Sequence, residues 1–319
     1  MNTLFVLLGP TGVGKTDLSI SLAQHLGCSI VSSDSRQIYR ETRIGTAAPE
    51  QWELEAVRHH FIASRSVTEP YSSGQYELDA IPVIEHEIST YGTSMLVGGS
   101  MLYIDAVCRG IDDIPTILPE VRDKVKELYA DEGIEGLRAM LRLLDPVHYG
   151  RVDLMNAKRI MHAIEVCWQT GRPFSSLHTG MAKQRSFDIV KIGLNRDREE
   201  LYDRINIRVY RMIDEGLVDE VRSLAPHRHL NALNTVGYKE IFNYLDGIWT
   251  LERAIEMIQQ NSRRYAKKQL TWFSHDESIN WFHPDDKDKV IALVDRYREG
   301  SIKSHAATGT STDNTTTSQ

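Results

Sequence analysis

The 319-residue chain has no run of 18 apolar residues, which excludes a membrane-spanning helix. Its start has neither a basic region nor a small-residue cleavage site. Met1 to Leu8 runs straight into a strand-like segment, so no secretory leader is expected. Cysteine is scarce: Cys28, Cys108 and Cys167 stand apart and form no C-x-x-C pair. That scarcity argues against a disulfide framework and predicts a reduced, cytoplasmic protein. An excess of positive charge is also missing, with 37 Lys and Arg against 44 Asp and Glu and a net charge of −7. The balance speaks against a chain that is basic throughout. It leaves open a local basic face, which is what nucleic-acid binding requires. No internal repeat is present.

What is there is ordinary globular material, 41% hydrophobic and 25% charged, long enough for one large domain or a core that carries an insertion. Residues 3–9, 28–34 and 94–100 read as buried strands, with helical periodicity at 15–26 and 76–89. Strand–helix alternation predicts an α/β fold with a parallel, doubly wound sheet. The texture changes near Ile114-Pro115. From 116 to 180 no strand pattern appears, and 119–130, 134–144 and 154–169 are helical in period, which predicts an all-helical insertion over 114–183. A strand returns at 187–194, and helices follow at 197–215, 217–225, 237–245 and 251–273. A late strand at 279–283 and a helix at 285–299 complete the core. The core is thus 1–113 plus 184–300. The segment 301–319 lacks large apolar residues beyond Ile302 and is expected to be a disordered tail.

Gly9-Pro10-Thr11-Gly12-Val13-Gly14-Lys15-Thr16 fits G-x-x-x-x-G-K-[ST] between a predicted strand and a predicted helix. The glycines let backbone N–H groups approach phosphate oxygens, and the helix N-terminus adds partial positive charge. Lys15 can reach a terminal phosphate, and the Thr16 hydroxyl suits Mg²⁺. The loop by itself indicates a polyphosphate or nucleotide ligand. The strand that should end in a metal-holding acid ends instead in Val97-Gly98-Gly99-Ser100, which disfavours a motor ATPase and leaves a small-molecule kinase open. Asp34 ends the second strand, so in an open parallel sheet it lies beside Lys15 and Ser100. A carboxylate there could hold metal, accept a proton, or merely cap a helix.

Further blocks extend the pattern. They are Ser33-Asp34-Ser35-Arg36-Gln37, Ile44-Gly45-Thr46-Ala47, His59-His60, Val97–Tyr103, Lys158-Arg159-Ile160, Leu201–Val209, Val236–Glu240 and Arg263–Phe273. In this order, over residues 3–283, the chain resembles the tRNA dimethylallyltransferases. The resemblance implies a P-loop NTPase-like core with a helical insertion. It also implies transfer of a dimethylallyl group from dimethylallyl diphosphate to N6 of adenine 37 in the tRNA anticodon stem-loop, in tRNAs that read codons beginning with U. By the same resemblance Asp34 is the general base. For such a reaction Lys15, Thr16 with Mg²⁺, the loop amides and Arg208 would neutralise the leaving diphosphate, and the hydroxyls of Thr11 and Ser100 are expected to position the diphosphate or the adenine. Asp34, Ser35, Arg36, Gln37 and Ser100 read the tRNA. Further tRNA contacts fall on Lys158, Arg159, Ile160, Met161 and His162, on Gly237, Tyr238 and Lys239, and on Arg263, Arg264, Lys267 and Lys268, although a tyrosine or tryptophan such as Tyr238 or Trp272 is more often core than a base-stacking group. A monomer is expected.

Three basic clusters could hold RNA phosphates: Lys158-Arg159; Arg204, Arg208 and Arg211 on one helical face; and the dense group Arg263, Arg264, Lys267 and Lys268. Taken singly, each is more often a solvated face. Several positions depart from the family's habit. Ser100 replaces threonine, Lys158 glutamine, His162 arginine, Ala48 lysine and Ala63 aspartate. His59-His60 cannot share one metal in an extended chain, because adjacent side chains face opposite ways. Two rival functions are a small P-loop kinase, which predicts ATP turnover, and a non-catalytic RNA-binding protein, which predicts tRNA retention without transfer.

Overall fold

The computed structural model describes residues 2–178 and 180–308. Among the described residues, β1 (Thr3–Leu8), β2 (Ile30–Ser32), β3 (His59–His60), β4 (Thr93–Gly98), β5 (Asp188–Leu194) and β6 (Ile279–Phe282) make one parallel sheet in the order β3-β2-β4-β1-β5-β6. β1 is central, with Thr3 paired to Thr93 on one side and to Asp188 on the other. All six of its residues are buried because helices cover both faces of the sheet. Side chains alternate along a strand. Phe5 and Leu7 therefore pack with Leu18 and Leu22 of the Lys15–Leu26 helix, and with Val290 and Val294 of the Lys287–Thr308 helix. Leu4, Val6 and Leu8 pack with Tyr76, Ala80 and Ile84 of the Ser73–Tyr91 helix, and with Ile104 and Val107 of the Met101–Cys108 helix. Each buried Val, Leu, Ile or Phe among these contributes about 1.5–3 kcal/mol relative to exposure.

The chain forms two compact units. The sheet and its helices come from the chain before Arg109 and from Arg185 onward, and the second unit is Arg109–Gln184. The described part of the second unit is all-helical, with a core of its own that includes Val125, Leu137, Leu141 and Ile164. Its two expected early helices both form within Pro119–Leu144 and are separated at Gly133, whose φ of 65° is not helical.

Several expectations shift. β2 is shorter than 28–34 because the Ser29 N–H goes to the Glu87 carboxylate at 3.1 Å instead of a ladder. The Met101–Cys108 helix was not legible, since its apolar residues leave little polar face to mark a period. The last helix extends to Thr308, so 301–308 are helical in backbone where a disordered tail is expected. Extending an established helix costs little, and Ala306 and Ala307 favour it. The expected tail's remaining residues, 309–319, lie outside the described residues. His59 and His60 form β3. His59 Nδ1 lies 2.8 Å from the Val57 carbonyl oxygen and His60 Nε2 lies 3.0 Å from Ser29 Oγ, so both rings are tied into the fold.

Arg185 begins the return to the first unit. It donates to the Val107 and Ala106 carbonyls at 2.8 and 2.7 Å and to Glu77 at 2.8 Å. Both side chains of the ion pair are nearly buried, 11% and 6% exposed. Arg185→Met uncaps the end of the Met101–Cys108 helix and removes the cation facing Glu77. We expect a stability loss of about 3–5 kcal/mol in urea unfolding. A loss below about 1 kcal/mol, the scale of an exposed pair, would show that the pair is not buried in effect.

Candidate active site

Beyond the carboxyl ends of β1, β2 and β4 lies a cavity of about 460 Å³, lined by Thr11, Lys15, Thr16, Asp34, Arg208 and Gln269 among others. Gly14, at φ 103°, is the N-cap of the Lys15–Leu26 helix and brings no side chain to it. The first helical N–H groups are thus left for an anion. A Cβ at Gly12 would lie 2.9 Å from Ile205, so only glycine lets the Arg198–Asp214 helix close on the loop. That contact carries Arg204, Arg208 and Arg211 to the cavity wall. Arg204 also donates to the Gly12 carbonyl at 3.0 Å. The three arginines expected as an RNA patch therefore share the phosphate loop's cavity.

Lys15 Nζ donates to the Gly9 and Pro10 carbonyls, both at 2.9 Å. Burial depresses its pKa to about 8. Asp34 opposes the shift and the Arg208 charge adds to it. Arg208 is likewise lowered by burial and held up by Asp34. The loop lysine and an arginine thus both interact with one carboxylate at the cavity, and the pair of cations suits a polyanion.

Asp34 serves two ends. Its Oδ1 accepts the N–H groups of Arg36 at 2.9 Å and Gln37 at 3.2 Å, which closes a turn; no helix begins there, so the helix-cap alternative is not what the residue does. Among the described residues its Oδ2 has no hydrogen bond, and the side chain lines the cavity. Ser100 Oγ accepts the Ser35 N–H at 2.8 Å and donates to Ser35 Oγ at 3.1 Å, tying the end of β4 to the loop after β2. Thr16 is exposed at the cavity.

The other predicted contacts divide. Arg36 Nη1 donates to the Asn231 and Ala232 carbonyls, both at 3.0 Å, and Gln37 Nε2 donates to those of Thr46 and Ala47 at 3.1 and 2.9 Å. Donors expected to read RNA here brace loops. Ile160 is 0% exposed in the core of the helical unit, and Tyr238 is 0% exposed beneath Gly45. Both are corrections, because neither side chain can meet RNA. Gly237 is also buried. Lys158, Arg159, His162 and Lys239 are exposed and Met161 is half-buried. On the Leu251–Phe273 helix, Arg264, Lys267 and Lys268 are exposed. Arg263 is half-buried, hydrogen-bonded to Asn206 Oδ1 and set over the Tyr202 ring.

Two residues escaped the sequence reading. Glu220 accepts the N–H groups of Arg43, Ile44 and Gly45 at 2.9, 2.7 and 3.0 Å and the Tyr238 hydroxyl at 2.6 Å, fixing the loop that brings Thr46 and Ala47 to the cavity. Gln269 bridges the phosphate loop and the end of β4. Only the block that contains Gln269 could have drawn attention to it.

Residues 37–276 match the family model described as IPP transferase. The chain is 54% identical over 294 residues to tRNA dimethylallyltransferase 1 of Bacteroides thetaiotaomicron, covering 92% of this chain and 96% of that one. It is 55% identical to tRNA dimethylallyltransferase 2 of Porphyromonas gingivalis, with 92% and 98% covered. Among solved structures, the tRNA isopentenylpyrophosphate transferase of Bacillus halodurans superposes with a TM-score of 0.69 at 34% identity, over 96% of this chain and 99% of that chain. A eukaryotic dimethylallyltransferase acting on tRNA superposes at 0.79 with 22% identity, over 94% and 80% of the two chains, a likeness of fold.

Proposed function

The chain belongs to the IPP transferase family, and on that premise we propose that it transfers a dimethylallyl group from dimethylallyl diphosphate to N6 of adenine 37 of tRNAs that read codons beginning with U. The C1–O bond to diphosphate breaks as the C1–N6 bond forms, and the N6 proton passes to Asp34. The observation that carries this reading is the meeting of Lys15, Arg208 and Asp34 around one cavity at the phosphate loop.

Lys15, Arg208 and the loop amides hold the diphosphate and take up the charge that grows on its bridging oxygen. Among the described residues no cluster of three His, Cys, Asp or Glu could cage a metal. A divalent cation here would take substrate oxygens beside the Thr16 hydroxyl, a set that suits Mg²⁺ and would add Lewis-acid neutralisation of the leaving group. N6 is a weak nucleophile because its lone pair is delocalised into the ring, so Asp34 assists as base. The adenine must leave its stack to reach the cavity. The enzyme is read as a cytoplasmic monomer.

The test is transfer of labelled dimethylallyl diphosphate into tRNA bearing A36-A37-A38. Label that vanishes when A37 is changed supports the reading. ATP turnover on a small molecule with no label in RNA would support the kinase alternative, to which the names of the relatives lend nothing.

The exposed row Arg264 and Lys268, one helical turn apart, is read as a phosphate contact. Arg264→Glu with Lys268→Glu should weaken tRNA binding and reduce the salt slope of log K by about 2. An unchanged slope would remove this face from the interface.

A further inference from the structure

The ladder between β1 and β4 ends at the pair Leu8 and Gly98. Past that point the two chains diverge into the phosphate loop and the Gly99-Ser100 turn, and no backbone ladder joins them. Gln269, 2% exposed, occupies the gap. Its Oε1 accepts the Thr11 N–H at 2.9 Å and its Nε2 donates to the Gly99 carbonyl at 2.8 Å. One buried amide thus stands in for the next rung of the sheet. The fit is close: a Cβ at Gly99 would lie 2.4 Å from Gln269 Nε2 and 3.0 Å from the Gly9 carbonyl oxygen.

The chain of bonds continues. The Ser100 N–H donates to the Ser33 carbonyl at 3.3 Å, and Ser100 Oγ accepts the Ser35 N–H at 2.8 Å. Ser33 and Ser35 flank Asp34. The loop that grips the diphosphate and the segment that carries the carboxylate are therefore joined through Gln269.

We propose that Gln269 is a positioning residue that sets the distance between the allylic carbon and N6, an inference that rests on the transferase reading above. Gln269 borders the cavity, but both polar atoms of its amide are taken up by backbone groups, the Thr11 N–H and the Gly99 carbonyl. A misplacement on the order of 1 Å can cost about 10²-fold in rate, so a loosened bridge should slow the chemical step more than it weakens either substrate alone.

Gln269→Glu is isosteric. It keeps the acceptor for Thr11 and turns an oxygen towards the Gly99 carbonyl. Gln269→Leu removes both bonds. The rate constant is measured in single turnovers with enzyme in excess, beside the affinities for pyrophosphate and for tRNA. The expected result for both variants is a rate constant about 10- to 100-fold lower, with each dissociation constant within about threefold of wild type (under 1 kcal/mol). Gln269→Glu should recover towards wild type as pH falls, because a protonated acid donates to Gly99 again. A merely structural role lowers the amplitude and leaves the rate constant alone, and that outcome, or a wild-type rate constant, overturns the proposal. The isosteric variant carries the test where the leucine variant loses its fold. Wild-type enzyme that transfers nothing would sink the transferase reading itself, a result separate from either variant's.

Discussion

Asp34→Asn lowers kcat for dimethylallyl transfer by about 10³-fold, within the range for loss of a positioned base, while tRNA binding and folding stay near wild type. Asparagine is the informative substitution because Asp34 has two duties. Its Oδ1 holds the Arg36 and Gln37 N–H groups, and the amide oxygen of asparagine can go on doing so. What the amide lacks is a site for the N6 proton. Asp34→Ala loses the base and the turn together, and should cost a further ~1 kcal/mol of stability, the scale of a lost intramolecular hydrogen bond. Thermal unfolding of the two variants separates the duties, and steady-state kinetics measure the first. Full activity in Asp34→Asn would show that the proton leaves by another route.

Lys15 gives the second large effect, and its sign follows from its burial. Its pKa stands near 8, below the ordinary 10.5, so its charge is complete below that pH and lost above it. Affinity for pyrophosphate should therefore be flat up to about pH 7.5 and fall about tenfold per unit once pH passes 8, at 1.36 kcal/mol per unit. Pyrophosphate titrates as well. The ratio of wild type to Lys15→Arg cancels that contribution, because arginine stays charged throughout. Parallel pH profiles for the two proteins would mean that Lys15 is not the group that titrates. Lys15→Met removes the charge at every pH and should lower kcat/KM by about 10²- to 10³-fold, as removal of a group preorganised for developing negative charge does.

Much of the fold could be read from local pattern. The Lys15–Leu26 and Leu251–Phe273 helices fall where Leu18, Leu22 and Leu26 and the 251–273 periodicity put them. β1 shows as an uninterrupted apolar run because both its faces are covered. The phosphate loop was legible because its chemistry is contiguous. The rest of the site depends on contacts between distant segments. Periodicity put Arg204, Arg208 and Arg211 on one face, but only the packing of Ile205 on Gly12 decides that this face looks into the cavity. Gln269 and Glu220 work through backbone groups of other segments, which no spacing reveals. Ile160 and Tyr238 were placed at RNA with their motifs, and burial separates them from their exposed neighbours Arg159 and Lys239.

The base of the helical unit bears on how the sheet is reached from the unfolded chain. β5 must find β1 across the whole of Arg109–Gln184, and closing a longer flexible loop costs more entropy. Helical contacts are local and form early. The Lys183 N–H meets the Arg109 carbonyl at 2.7 Å, so the two ends of that segment come together. Once folded, the segment is a short circuit in the chain. The search that pairs Thr3 with Asp188 then spans an effective contact order set by the first unit alone, and added length inside the insertion leaves that search unchanged.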